Sequence, residues 1–126
     1  YKPEGTSTLE EIFLNCDVVS IHVHVTDETR HMINKDLLNL ATKELYLVNT
    51  SRGEVVREED IVSALASNKL TGYATDVVQD EFGSLKQSPI IAAMNEGENI
   101  IVTPHVGGMT VEGQTKAYKW SVNKLW

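Results

Sequence analysis

Strand-like and helix-like signals alternate along the whole chain, and no other feature restricts the fold as tightly. Short apolar runs, each followed by a polar turn and a helical stretch, form the pattern of a parallel sheet built from βαβ units. Ser7-x-x-Glu10 reads as a capping box opening a short helix whose Leu9, Ile12 and Phe13 share a face. Residues 17–23, rich in β-branched side chains, read as the first strand, and Asn34 as the cap of a helix over 35–42. A second buried strand follows at 45–48. Glu58, Glu59 and Asp60 then suit the positive end of a helix that turns Ile61, Val62 and Leu65 inward. The third strand is expected over 72–78, a loop over 83–88, a helical turn over 90–94 and the fourth strand over 99–102. From 110 to 126 the tail predicts a helix, with Val111, Tyr118, Val122 and Leu125 at helical spacing. The fold class expected is therefore α/β: a parallel sheet of about four strands with flanking helices.

At 126 residues and 41% hydrophobic content the chain can build one domain with a real core, and it is too short for two. A net charge of −7 argues against a nucleic-acid surface or an anionic-lipid patch. Cys16 is the only cysteine, which excludes an internal disulfide and a thiolate zinc cluster. No apolar run approaches the roughly 18 residues of a membrane span, and the start lacks the pattern of a signal peptide. A soluble, cytoplasmic protein is the expectation. Because the sequence starts at Tyr1 rather than at a methionine, it is read as a piece of something longer.

The chemistry gathers where strands end. Val48-Asn49-Thr50-Ser51-Arg52-Gly53 sets a lone arginine on the turn leaving an apolar strand, where a planar guanidinium can grip a carboxylate with two parallel bonds. Thr75-Asp76-Val77-Val78-Gln79-Asp80-Glu81 and Thr103-Pro104-His105-Val106-Gly107-Gly108 end two later strands. Reduction of a 2-oxo acid needs a group that holds the carboxylate, one that polarises the keto oxygen and one that supplies a proton to it. Arg52 can do the first two and His105 the third. A carboxylate beside the imidazole would favour its protonated form and fix its orientation, and Glu81 and Asp80 are both candidates. Asp76 can accept a hydrogen bond from a carboxamide such as that of nicotinamide, and Gly107 and Gly108 let backbone approach a flat ring. His22 and His24, two apart, lack a third ligand nearby, so no metal site is assigned. Trp120 and Trp126 are read as packing or dimer contacts.

These segments, in this order, resemble the second half of the NAD-binding domain of the D-isomer-specific 2-hydroxyacid dehydrogenases. The likeness runs through Ser20-Ile21-His22-Val23, Asp27-Glu28-Thr29-Arg30, Asn49 to Gly53, Gly72 to Glu81 and Thr103 to Gly108. The resemblance implies a Rossmann-type half-sheet spanning 1–126 with no complete second domain, NAD as cofactor, and a small 2-oxo or 2-hydroxy acid as substrate. It implies that Arg52 binds the substrate carboxylate and carbonyl, that His105 is the general acid/base, and that Glu81 is its carboxylate partner. It further implies that Thr50, Ser51 and Asp76 lie beside the nicotinamide, Val23 near the ribose and adenine side, and Gly107 and Gly108 behind the nicotinamide. A homodimer is the family's habit.

Three positions depart from the family pattern. His24 and Phe82 stand where proline is usual, and Arg57 where aspartate is common. No Gly-x-Gly-x-x-Gly follows any strand, and the resemblance puts that phosphate-binding fingerprint upstream of Tyr1. The chain is thus expected to carry half a cofactor site. The competing expectation is a non-catalytic α/β module that acts, if at all, through self-association along an edge left open by missing strands.

Overall fold

The computed structural model describes residues 6–83 and 85–124. Four strands form one sheet in the order β1 (Val18–Ile21), β2 (Tyr46–Asn49), β3 (Gly72–Thr75) and β4 (Ile100–Val102), every neighbouring pair parallel. Val19 pairs with Leu47, Leu47 with Tyr73 and Tyr73 with Ile100. These four side chains lie in one row on the same face and build the centre of the core. The strands are short, and the first and third end at Ile21 and Thr75 rather than at the expected 23 and 78.

Helices α1 (Leu9–Asn15), α2 (Lys35–Leu38), α3 (Glu58–Ala66) and α4 (Pro89–Glu96) pack successively against one another, α1 on α2, α2 on α3 and α3 on α4. Phe13, Leu37, Leu38, Ile61, Leu65 and Ile90 join the strand side chains in the buried cluster. The capping box at α1 lies one residue later than expected. Thr8 Oγ1 accepts from Glu11 N–H (3.1 Å), and Thr8 N–H donates back to Glu11 Oε2 (2.8 Å). Asn34 caps α2 as predicted, its Oδ1 accepting from the Asp36 and Leu37 amides. That helix ends at Leu38 rather than residue 42, because the chain tightens there into turns that bond Leu40 to Leu37 and Ala41 to Leu38. By contrast α4 is longer than the expected single turn. Ser88 caps it, proline occupies its first position, and Gly97 at φ 99° closes it in the left-handed conformation. The expected loop over 83–88 contains a 3-10 turn, Leu85–Gln87.

The other face of the sheet is not covered by the described residues: Val18 is 60% and Ile101 64% exposed. The last helix, α5 (Val111–Asn123), buries none of its residues. Val111, Tyr118 and Val122 have the expected spacing yet remain exposed, as does Trp120. Leu125 and Trp126 lie outside the described residues. No helix among the described residues is long and apolar enough to cross a membrane.

Candidate active site

The strand exits are registered with one another by backbone bonds that continue the ladder beyond the strands. Asp76 N–H donates to Asn49 O (3.0 Å), and Thr103 N–H to Thr75 O (2.9 Å). The turns carrying Arg52, Asp76 and His105 thus leave the carboxyl edge of the sheet from adjacent strands, where open α/β sheets place their ligands. Val23 follows β1 at the same edge and is exposed.

At the exit of β2, Asn49 is fully buried and organises the turn. Its Nδ2 donates to Arg52 O (2.9 Å), while its Oδ1 accepts from both Ser51 N–H and Ser51 Oγ (3.0 Å each). Gly53 lies so close to the next crossover that a Cβ there would sit 2.2 Å from the carbonyl carbon of Val78. Only glycine fits. The Arg52 side chain remains exposed, its Nη1 donating to Ser51 O (2.6 Å), with no carboxylate partner among the described residues. Thr50 is exposed beside it.

At the exit of β3, Asp76 is 7% exposed and ties down the next loop along. Its Oδ1 accepts from Val106 N–H (3.0 Å) and from Thr103 Oγ1, and its Oδ2 accepts from Gly107 N–H (2.7 Å). Burial alone would raise this carboxyl. The bonds from Thr103, Gly107 and Val106, together with the neighbouring His105, hold it below its ordinary value of 3.8.

Beyond β4, His105 sits at φ 53°, a left-handed conformation uncommon outside glycine. Its Nδ1 lies 2.8 Å and 2.9 Å from the two carboxylate oxygens of Glu81. The two carboxylates left open by the sequence are thereby distinguished. Asp80, at φ 51°, is exposed in the turn that bonds Gly83 N–H to its carbonyl, and its own carboxylate folds over Gly83. Glu81, half-buried, faces the imidazole. Gly107 and Gly108 are exposed, and the space a Cβ would take at Gly108 is open. His22 Nε2 meets Ser20 Oγ at 2.8 Å.

Sequence reasoning missed two organising residues. Asn49 looks like the last residue of an apolar run, and Glu58 looks like one of three acids at a helix start. Glu58 is only 1% exposed. Its Oε1 accepts from Gln79 N–H (2.7 Å) and its Oε2 from Ser88 Oγ (2.9 Å). Burial pushes its carboxyl above the ordinary 4.5, against the pull of these bonds.

Comparison with known proteins identifies what the chain is similar to. Residues 2–107 match the D-isomer specific 2-hydroxyacid dehydrogenase family, NAD binding domain. A D-3-phosphoglycerate dehydrogenase of Haemophilus influenzae is 37% identical over 107 residues, which is 85% of this chain and 26% of that protein. A glyoxylate reductase of Thermofilum pendens is 33% identical over 117 residues, 93% of this chain and 33% of that protein. Among solved structures, D-lactate dehydrogenase from Aquifex aeolicus, complexed with NAD and lactic acid, superposes with a TM-score of 0.78 at 30% identity, covering 94% of this chain and 39% of that one. The chain spans about a quarter to a third of the length of these curated relatives. It belongs to the D-isomer-specific 2-hydroxyacid dehydrogenase family, through the NAD-binding domain of that family.

Proposed function

We propose that this family member supplies the second half of an NAD-binding domain, and with it the catalytic groups of an oxidoreductase that interconverts a 2-oxo acid and a D-2-hydroxy acid. The observation that carries this reading is the Glu81–His105 pair at the exit of β4, on the same sheet edge as an arginine with no carboxylate partner among the described residues. Bound NAD(H) would supply or accept the hydride. The open space at Gly108 and the exposed Thr50 fit the nicotinamide half of that cofactor, whereas the sequence holds no glycine-rich element for the pyrophosphate. Thr50, Ser51 and Asp76 then line the nicotinamide, Val23 the ribose side, and Gly107 with Gly108 the rear of the ring.

In reduction, Arg52 binds the substrate carboxylate and draws charge toward the keto oxygen. His105 gives that oxygen a proton from Nε2, because Nδ1 is committed to Glu81. Glu81 holds the ring in this orientation. In oxidation the same Nε2 takes the proton back. A carboxylate has about four acceptor sites and Asp76 has used three, which leaves room for one carboxamide N–H. The Ser51 hydroxyl, already donating to Asn49, retains its oxygen as an acceptor.

Titration of the chain with NADH, read by tryptophan fluorescence and energy transfer to the nicotinamide, tests the reading. Saturable quenching in the micromolar range is the expected result, and an unsaturable response up to millimolar NADH overturns cofactor binding by this chain. The second reading, a non-catalytic module that self-associates as a homodimer, is favoured by the uncovered sheet face and the fully exposed α5. Sedimentation of the same sample distinguishes it: a dimer without NADH binding supports this alternative.

A further inference from the structure

Glu58 is a buried carboxylate with no part in the chemistry outlined above. Burying a carboxylate is costly unless hydrogen bonds return the expense. Stabilising the helix dipole does not explain it, since the exposed Glu59 does that from the same turn without leaving water. What distinguishes Glu58 is where two of its donors lie. Gln79 lies two residues before Glu81, at the start of the segment between β3 and α4, and Ser88 is the cap on which that segment ends. One carboxylate therefore closes both ends of the excursion that carries Glu81, and the Gly53 backbone packs against Val78 and Gln79 from the same side.

We infer that Glu58 is a positioning residue that sets the reach of Glu81 to His105, by pinning Gln79 and Ser88 to the first turn of α3. The inference rests on the Glu81–His105 pair described under the proposed function. Releasing Gln79 lets the backbone ahead of Glu81 drift. The Nδ1 contact is lost, while the His105 loop itself stays on Asp76.

The test uses the full chain labelled uniformly with nitrogen-15. The ring-nitrogen shifts of His105 read which nitrogen carries the proton, and the amide shifts of Val106 and Gly107 report on the Asp76 anchor. Glu81→Gln defines the shift change produced by losing the partner. Glu58→Ala is expected to reproduce most of that change with the Val106 and Gly107 amides in place. Glu58→Gln should stay close to wild type, because its amide oxygen can still accept from Gln79 and its N–H can donate to Ser88 Oγ. If Glu81→Gln moves the ring shifts and Glu58→Ala does not, even at a lower Tm, the positioning role is wrong and the pair stands. If Glu81→Gln itself changes nothing, the pair and the inference fall together. Should Glu58→Ala not fold, Glu58→Asp withdraws the carboxylate from Gln79 by one methylene while keeping its charge, and an unchanged His105 ring then overturns the inference.

Discussion

The exits of β2 and β4 carry the two residues on which the proposed chemistry depends, and they are built in opposite ways. The Arg52 turn is set by a buried neutral amide and a close approach of backbone. A fully buried Asn49 satisfies three of its polar groups, and Gly53 is pressed against the Val78–Gln79 peptide. The His105 loop is exposed and is held by carboxylates, with Asp76 binding its amides and Glu81 its ring. A residue that must grip a carboxylate without changing charge is best served by a fixed frame. One that must gain and lose a proton needs water at hand and a charged partner that responds to its state. The strained φ of His105 fits the same division, because a left-handed histidine costs about 1–2 kcal/mol and persists only where surrounding bonds insist on it.

The largest expected effect breaks the comparison at the chemistry itself. In an active dehydrogenase that contains this chain, His105→Ala should lower kcat about 10³-fold with KM little changed, the usual range for a lost general acid. Arg52→Ala should raise KM for the 2-oxo acid as well as lowering kcat. Steady-state kinetics decide between them, and an unchanged KM in the arginine variant would remove its carboxylate-binding role.

Next in size are losses of stability, read by urea unfolding of the chain. Gly53→Ala should cost about 3 kcal/mol, since the new methyl group meets backbone that cannot rotate away. A loss below about 0.5 kcal/mol would mean that the β2 exit is as pliable as the β4 exit. Asp76→Asn should cost about 2 kcal/mol through weakened charge-assisted bonds. Hydrogen exchange should then quicken at Val106 and Gly107 and not at Ser51. Faster exchange at Ser51 would show that the two exits are one cooperative unit.

The pH dependence sharpens the contrast further. Asp76 has a folded value below its ordinary 3.8, so between these values the unfolded chain binds more protons. Its contribution is complete above 3.8 and is lost as pH falls through the folded value. Glu58 has a folded value above 4.5, so its sign is reversed: stability declines as pH rises through the interval above 4.5, as the buried carboxyl ionises. Unfolding midpoints of Glu58→Gln against wild type should converge toward acid pH and diverge above this interval, and parallel curves would refute the reversed sign. The smallest effect is that of Arg52→Ala on folding, within about 0.5 kcal/mol, as expected of an exposed side chain with no carboxylate partner. A larger loss would turn the arginine into a structural element.

Much of this was legible in the residues. Asn34 caps its helix because its side-chain oxygen can accept from the first free amides ahead of an apolar periodicity, and the alternation of apolar runs with helices is the pattern of parallel crossovers. The α1 start was displaced by one residue because Ser7-x-x-Glu10 and Thr8-x-x-Glu11 fit the same box, and both leave Phe13 on the inner face. The expected end of α2 at 42 missed the turns at Leu40 and Ala41, where tertiary burial outweighs propensity. The α5 periodicity is present, yet the helix stays exposed, since spacing specifies a face and not what covers it.

The sequence by itself determined the α/β alternation and the set of polar residues at the strand exits, because each follows from local periodicity and from where it breaks. Composition and spacing left Glu81 and Asp80 open and only the family resemblance named Glu81; the tertiary structure brought it to His105, and it alone decided that Asp76 anchors the histidine loop and that Glu58 is buried while Glu59 is in water. Those choices join residues 21 to 31 positions apart in the chain. They depend on distances fixed by the register of packed strands, about which neighbouring residues in a sequence carry no information.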